Sequence, residues 1–432
     1  MRSGFKPKLI GGGIIAAAAL VLAAAALTAL APAARADRAA ELQVKIDERN
    51  QQIRALEEEI AGYQKSLNEN AKQAGSLQSE IKQIETTLKK LNADIKITEN
   101  KIANAEEKIQ QLGLAIDHKS LSIEQNRASL EESLRYWRET EEIILLEQLI
   151  DQQTLAEFWS EEEKLNKLQA QINRGLGDLR RERTELSDSK TATEAEQKKL
   201  LALKNQLADQ KKIANQNRAE KDALLKETKN EEANYRKILA AREAQKNAFT
   251  RELEDFEAQL QIAVDPSKLP SAGSGVLAWP LDSIFVTQLF GRTEAAKRLY
   301  VSGSHNGVDF RAAVGTPVKA ARSGVVTAVG NTDIQPGCYS YGQWVLIDHQ
   351  NGLSTLYAHL SLIKVAAGQN VFVGQLVGYS GRTGYATGPH LHFTVYATEG
   401  LRVERYVNSI HCKNVTIPIA DPKAYLDPMI YL

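Results

Sequence analysis

The stretch GPHLHFTVYA, residues 388–397, places His390 and His392 on either side of a single leucine. Its short alternating pattern is typical of a β-strand, in which residues i and i+2 point to the same face of a sheet. Both imidazoles are therefore expected to face one groove. A His-x-His pair by itself is more often a pair of surface residues than a metal site. Other motifs in the chain are needed to distinguish these two interpretations.

Similar short runs fill the C-terminal part of the chain, where glycines separate VVTAVG, WVLIDH, STLYAHL and LVGYSG. Runs of this kind are typical of short strands. We therefore predict a compact, mainly antiparallel all-β domain over residues 276–432. The stretch before it, residues 265–275, is rich in proline, glycine and serine and is predicted to be a linker.

The N-terminal part has a different pattern, with apolar residues at alternating steps of four and three from Leu42 to Ile116. A repeat of 3.5 residues held this long indicates a coiled coil. We predict a long α-helical coiled-coil hairpin over residues 37–264, with a parallel dimeric coil as the main alternative. Residues near 140–163 are more apolar and are expected to form short helices near the tip. There Phe158 and Trp159 either pack within the hairpin or dock on a partner.

Charge and cysteine content exclude several classes of function. The 432 residues have a formal net charge of zero, so the basic surplus that a nucleic-acid-binding protein uses against phosphates is missing. The two cysteines, Cys338 and Cys412, do not form a CxxC motif, which excludes a thiolate zinc ribbon. The sequence HExxH is also absent.

The first 36 residues have the pattern of an export signal. Three basic residues precede an uncharged run over residues 9–34, and small residues follow at Ala34 and Ala36. We predict a signal peptide cleaved before Asp37, or else a retained membrane anchor, because the apolar run is long enough to span a bilayer. Both interpretations place the remainder outside the cytoplasm, and membrane contact is limited to this segment if it is retained.

Three histidine groups in the predicted β domain are candidates for chemistry. HNGVD contributes His305 and Asp309, YAHL contributes His359, and the strand described first contributes the His-x-His pair. A catalytic zinc ion takes three protein ligands and keeps one position open for water. These four histidines and one aspartate exceed that number, so the surplus imidazoles are expected to serve as base and oxyanion donor.

The order of these motifs, from HNGVDFRAAVGTPVKAARSGVVTAVG through WVLIDHQNGLSTLYAHLS to GQLVGYSGRTGYATGPHLHFTV, resembles the M23 family of zinc metallopeptidases, also called LytM or lysostaphin-type. The resemblance covers residues 276–400. It implies one Zn²⁺ bound by His305, Asp309 and His392, with His359 and His390 assisting catalysis. It also implies hydrolysis of peptide bonds in peptidoglycan, which agrees with an export signal.

A coil followed by such a domain is similar to division-associated murein hydrolases and murein hydrolase activators. That resemblance implies a coil tip docked on a membrane complex that looks like an ABC transporter. In activators the domain has lost metal ligands and switches on a wall amidase. The complete ligand set here favours an enzyme, with the activator as the alternative, and the paired helices are expected to cover its groove.

Two further pairs of residues are predicted around the groove. In an oxidising compartment two lone cysteines favour a disulfide, so Cys338 and Cys412 are expected to be bonded, with two free buried thiols as the alternative. Arg382 and Tyr385 lie in the loop just before the His-x-His strand. They are candidates for the substrate groove, or else belong to an ordinary exposed loop.

Overall fold

The structure is a computed structural model that describes residues 13–70, 75–150, 155–259, 267, 273, 275–300, 302–407 and 409–432. Side chains are not described at 13–37, 68–70, 140–150, 155–162, 259, 295 and 299. The side chains of the predicted signal segment or anchor, residues 1–36, and most of the predicted linker, residues 265–275, are thus outside the described part. Among the described residues, no helix combines the length and apolarity that crossing a membrane would need.

Four long helices make up the N-terminal part of the chain: α1 Gly13–Asn70, α2 Leu77–Ile150, α3 Leu155–Thr228 and α4 Glu232–Gln259. The apolar repeat is divided between α1 and α2, and Gly75, just before α2, has a φ of +113°, in the left-handed region that favours glycine. The short helices expected near residues 140–163 are instead the ends of α2 and α3, whose sequences there contain neither proline nor glycine.

The chain divides into two compact units. The helical unit comprises Met1–Ala55 and Ile97–Gln206, and the β-domain unit comprises Leu56–Lys96 and Leu207–Leu432. In the helical unit α1 and α2 run antiparallel. Gln111 donates to the carbonyl of Ala39 at 3.0 Å, and Asn104 donates to Asn50 at 3.0 Å.

In the β-domain unit the start of α2 runs antiparallel to the end of α3. Lys221 pairs with Glu85 at 2.6 Å across the two helices. A partly exposed pair of this kind contributes at most about 1 kcal/mol. The buried side chains of Leu77, Ile84 and Leu224 therefore supply most of the packing energy there.

Twelve strands follow in the described residues after α4, together with a short helix, α5, at Glu294–Leu299. The strands are β1 Val286–Gln288, β2 Val308–Arg311, β3 Pro317–Lys319, β4 Gly324–Asn331, β5 Gln343–Asp348, β6 Leu353–Ile363, β7 Asn370–Val371, β8 Leu376–Ser380, β9 His390–Ala397, β10 Leu401–Arg405, β11 Thr416–Ala420 and β12 Tyr425–Leu426.

The main sheet is antiparallel and has the order β1-β2-β9-β6-β5-β4-β7. In addition β12 pairs with β9, and β8 pairs with both β3 and β6. Along β2 and β9, successive side chains point alternately into the core and toward a groove on the other face of the sheet. The core set of these two strands is Val308, Phe310, Leu391, Phe393 and Val395. The predicted fold class, a helical coiled-coil region followed by a mainly antiparallel β domain, is confirmed.

A second, two-stranded sheet, β10–β11, packs against α4. A disulfide bond joins Cys338 to Cys412, with Cα atoms 4.6 Å apart. Around it lies an apolar cluster that includes Phe249 of α4, which is 2% exposed, and Tyr406, whose ring centroid is 6.1 Å from that of Phe249. Helix α4 is thereby held on the β domain by a buried apolar contact.

Candidate active site

Three side chains from separate segments meet at one edge of the groove. Asp309 of β2 lies directly across from His392 of β9 in the antiparallel ladder. His305 reaches the same place from the segment before β2, where it forms an isolated bridge with Gly291. All three side chains are buried, and their donor atoms lie within 4.8 Å of one another. The structure thus brings together the three residues predicted to bind the metal.

The donor atoms are oriented by contacts on their outer sides. Oδ1 of Asp309 lies 2.9 Å from Nδ1 of His392 and 3.3 Å from Nε2 of His305, and those two nitrogens are 3.1 Å apart. Nδ1 of His305 lies 3.1 Å from the Leu289 carbonyl, and Nε2 of His392 lies 2.9 Å from Oγ1 of Thr394. Outer contacts of this kind fix the ring orientation of metal-binding histidines and their affinity for the metal.

The protonation states also suit a metal site. Burial opposes ionisation of Asp309, but His390, His305 and His392 around it hold the pKa of its carboxyl well below the ordinary value of 3.8. Burial lowers the pKa of the His392 imidazole, although Asp309 acts in the opposite direction. The cluster therefore presents a carboxylate and a neutral His392, as metal binding requires.

Two imidazole nitrogens and one carboxylate oxygen at the wall of an open groove fit a single catalytic zinc ion, which needs three protein ligands and one open position. His305, Asp309 and His392 would hold it. This donor set agrees with the predicted cofactor, one Zn²⁺.

His359 and His390 lie beside this cluster without belonging to it. Nδ1 of His359 lies 2.8 Å from the Thr383 carbonyl, and Nδ1 of His390 lies 2.8 Å from the Gly388 carbonyl. These bonds assign the proton to Nδ1 in each neutral ring and leave a basic Nε2 for the groove. The two ring centroids are 4.6 Å apart, and Nε2 of His390 is 3.7 Å from Oδ1 of Asp309.

His359 is placed by an irregularity in β6. Its φ is +57°, in the left-handed region that non-glycine residues seldom adopt, and the pairing of β6 with β8 shifts register between Leu360 and Leu362. Such irregularities re-aim side chains next to active sites. Burial, together with the neighbouring His390 and His392, holds the pKa of His359 well below 6.5. The imidazole is thus neutral and able to accept a proton.

The groove that contains these five residues has a volume of about 350 Å³ and includes one wall from α4. Two glutamates of α4 form hydrogen bonds with the β domain. Tyr425 donates to Oε1 of Glu257 at 2.5 Å, and the carboxylate of Glu252 accepts from Ser409 and from the backbone of Ile410. The α4 side chains that line the groove are Lys246, Phe249, Thr250, Leu253, Glu254 and Glu257.

The other predicted site residues do not all line the groove. Tyr385 lines the groove. Arg382 instead pairs with Glu80 of α2 and lies 3.7 Å from Glu220 of α3, next to a second cavity behind the loop. Phe158 and Trp159 lie in α3, but their side chains are outside the described residues.

Sequence reasoning missed two groove residues and the position of α4. Tyr300 stacks on His305 with ring centroids 5.3 Å apart, and Tyr341 accepts a hydrogen bond from Asn306 at 3.0 Å. Neither tyrosine belongs to a motif. Lys246 is buried in the groove, although its sequence context is that of an ordinary coiled-coil lysine.

A model for peptidase family M23 matches residues 303–405, which include the four histidines and the aspartate of the site. The chain is 47% identical over 89 residues to the DD-carboxypeptidase/endopeptidase Mpg of Neisseria meningitidis serogroup B, covering 21% of this chain and 19% of the relative. It is 46% identical over 89 residues to the peptidoglycan DD-endopeptidase ShyA of Vibrio cholerae serotype O1, again 21% and 19%.

Among solved structures, the catalytic domain of the antimicrobial peptidase lysostaphin from Staphylococcus simulans is 31% identical. That match covers 34% of this chain and 90% of the other, with a TM-score of 0.25. The chain spans about a fifth of the length of the curated relatives named above.

Proposed function

Residues 303–405 form a domain of peptidase family M23, and from this premise we propose that the protein is an exported zinc-dependent endopeptidase acting on peptide bonds of peptidoglycan. The observation that supports this most is the complete set of three buried ligands, His305, Asp309 and His392, with His359 and His390 beside it. The names of the relatives, which include a peptidoglycan DD-endopeptidase, support the substrate class. They also support an extracytoplasmic location, where that substrate lies.

Within this mechanism the five residues have two different roles. A zinc ion held by His305, Asp309 and His392 would polarise a water molecule and the scissile carbonyl. The basic Nε2 of one of the two rings, His359 or His390, accepts the proton of the attacking water. The protonated imidazole then donates to the developing oxyanion or to the leaving amine. Because the rings are 4.6 Å apart and both line the groove, one bound peptide can contact both of them.

We further propose that the helical region regulates this activity through α4. The helix lines the same groove as the metal ligands, and it is fastened there by Phe249 and by Glu252. A peptide chain that is to be cleaved needs the volume that α4 now borders. The protein is therefore in a restrained state, and release of α4 is the activating step.

Such release requires something that moves the helices, and we propose that a membrane complex similar to an ABC transporter does this at cell division through the coil tip. The support is the sequence resemblance alone, because residues 151–154 and the side chains around them are outside the described part. The alternative is a non-enzymatic activator of a wall amidase. An activator needs the groove but not the metal ligands, so the buried, complete ligand set favours the enzyme.

The test uses the full chain loaded with zinc on purified peptidoglycan, with muropeptides analysed by mass spectrometry. Wild-type protein is expected to release peptide products slowly, and Glu252→Ala faster, because it loses the bonds from Ser409 and Ile410. His392→Ala is expected to be inert. Arg251→Ala, an exposed neighbour on the same helix, is the matched control.

Two outcomes would overturn parts of the proposal. If wild type and Glu252→Ala both release no peptide products while both stimulate an added wall amidase, the protein is an activator. If Glu252→Ala and Arg251→Ala hydrolyse peptidoglycan at the wild-type rate, the protein is an enzyme that α4 does not restrain.

A further inference from the structure

The ammonium of a buried lysine lies between two tyrosine rings inside the groove. Nζ of Lys246 is 5.0 Å from the ring centroid of Tyr300 and 4.7 Å from that of Tyr385. Both distances are within the range at which a cation is attracted to an aromatic face. Lys246 is 6% exposed, so this cation is held away from bulk water.

Both rings belong to the β domain, and each residue has a contact within that domain. Tyr300 stacks on His305, with ring centroids 5.3 Å apart and planes within 5° of parallel. Tyr385 donates its backbone N–H to the Ser340 carbonyl at 2.9 Å. The site between the rings is therefore a feature of the groove, and Lys246 is its present occupant.

Burial of the lysine has a cost that this site offsets. Burial lowers the pKa of the Lys246 ammonium, and Glu243, one turn earlier in α4, acts in the opposite direction. An apolar side chain at position 246 would pack here without that cost. The two aromatic faces next to a metal ligand are thus suited to a cation on a narrow aliphatic chain.

We propose that Tyr300 and Tyr385 form a substrate subsite for an alkylammonium group, and that Lys246 of α4 occupies this subsite as an internal mimic in the restrained chain. The proposal rests on the proposed function and deepens it. Peptidoglycan peptides contain diamino acids, whose amines are free wherever they are not cross-linked. Tyr300 contacts a metal ligand, so the subsite places such an amine close to the bond that is cleaved.

The subsite can be tested without hydrolysis, in zinc-free full-length protein. Lys246→Ala leaves a space that matches propylammonium, the part of the side chain beyond Cβ. Binding of propylammonium chloride and of neutral n-propanol is measured by NMR titration. Lys246→Ala is expected to bind propylammonium about tenfold more tightly than propanol, since a desolvated cation–π contact contributes about 1–2 kcal/mol. Wild type and Lys237→Ala, in which an exposed α4 lysine is replaced, should bind neither.

A second substitution identifies the rings. Tyr385→Leu added to Lys246→Ala is expected to abolish the preference for propylammonium, while circular dichroism and zinc binding stay unchanged. Equal affinity of Lys246→Ala for the charged and neutral probes would overturn the proposal. So would a preference that survives Tyr385→Leu, because the cation site would then lie elsewhere.

The substrate arm uses zinc-loaded protein and peptidoglycan whose free amines have been acetylated. Acetylation is expected to raise KM about tenfold for Lys246→Ala, in which the subsite is open, with kcat unchanged, and to leave KM of Lys246→Ala/Tyr385→Leu unaltered. An unchanged KM of Lys246→Ala would contradict the role in substrate binding. If no peptidoglycan of either kind is hydrolysed, the proposed function fails, while the zinc-free titration still decides whether the ammonium site exists.

Discussion

Asp309 and His392 face each other directly across the β2–β9 ladder, with Oδ1 2.9 Å from Nδ1. The pair joins residues 83 positions apart, and it holds only if the two strands keep this register. A register shift of one residue in either strand would turn the metal ligand of that strand toward the core. The sheet therefore positions the metal ligands, and Thr394, two residues further along β9, supports His392 from its outer side.

Thr394→Val is expected to weaken zinc binding about 10- to 100-fold, because the outer partner of His392 Nε2 is lost while the volume is nearly kept. Zinc affinity is measured by competition with a chelating dye. His392→Ala should lose the metal altogether, and His118→Ala, an exposed histidine of α2, should bind zinc normally. Wild-type zinc affinity in Thr394→Val would show that the threonine does not orient the ring.

Gly307→Ala is expected to disrupt the site through crowding. A Cβ atom there would lie 2.6 Å from the Phe393 carbonyl oxygen and 2.8 Å from Cε1 of His392, so the ladder or the ligand must move. We expect a loss of about 1–3 kcal/mol in the free energy of unfolding, together with weaker zinc binding. Urea denaturation of zinc-free protein separates the two effects.

Gly62→Ala is the control for this glycine, because its Cβ would meet nothing within 4 Å and it lies inside helix α1. Alanine is favoured over glycine in a helix by about 1 kcal/mol, so this variant should be slightly more stable. If Gly307→Ala is as stable as wild type and binds zinc equally well, the close approach of these strands is not needed.

The motif residues were predictable from sequence because strand alternation gives His390 and His392 a common face, and because the two ends of HNGVD provide His305 and Asp309. The pairing of β2 with β9 is not local and could be expected only by resemblance. The site of α4 could not be predicted. Phe249, Leu253 and Phe256 have the spacing of a coiled-coil seam, and that spacing does not distinguish a second helix from the β domain on which they pack.

His359→Ala and His390→Ala are each expected to lower kcat by about 10²- to 10⁴-fold, the range for loss of general acid–base assistance, while zinc stays bound. Their separate roles should appear in the pH profile. The substitution that removes the base should abolish the acid limb of kcat, because the base must be unprotonated to accept a proton. Loss of zinc in either variant, measured by metal analysis, would contradict a role confined to proton transfer.

The docking of α4 is expected to weaken as the pH rises from about 4.5 to 7. Burial raises the pKa of Glu257 from 4.5 to about 7, and Glu254 and Asp421 act in the same direction, against the bonds from Tyr425 and the Ala420 backbone. A carboxyl whose pKa is raised in the docked state stabilises docking fully below pH 4.5, and this stabilisation is lost as the pH rises to about 7. Over that range the contribution of Glu257 to the free energy of docking changes by on the order of 3 kcal/mol.

Hydrogen exchange of α4 amides, followed from pH 4.5 to 8 and corrected for the intrinsic rate, measures this docking. Wild type should show α4 protection that falls with rising pH, whereas Glu257→Gln should be almost independent of pH, because the amide keeps the shape but cannot ionise. Arg251→Ala, an exposed residue of the same helix, should behave as wild type. A slope that is equal in wild type and Glu257→Gln would mean that another group controls the release of α4.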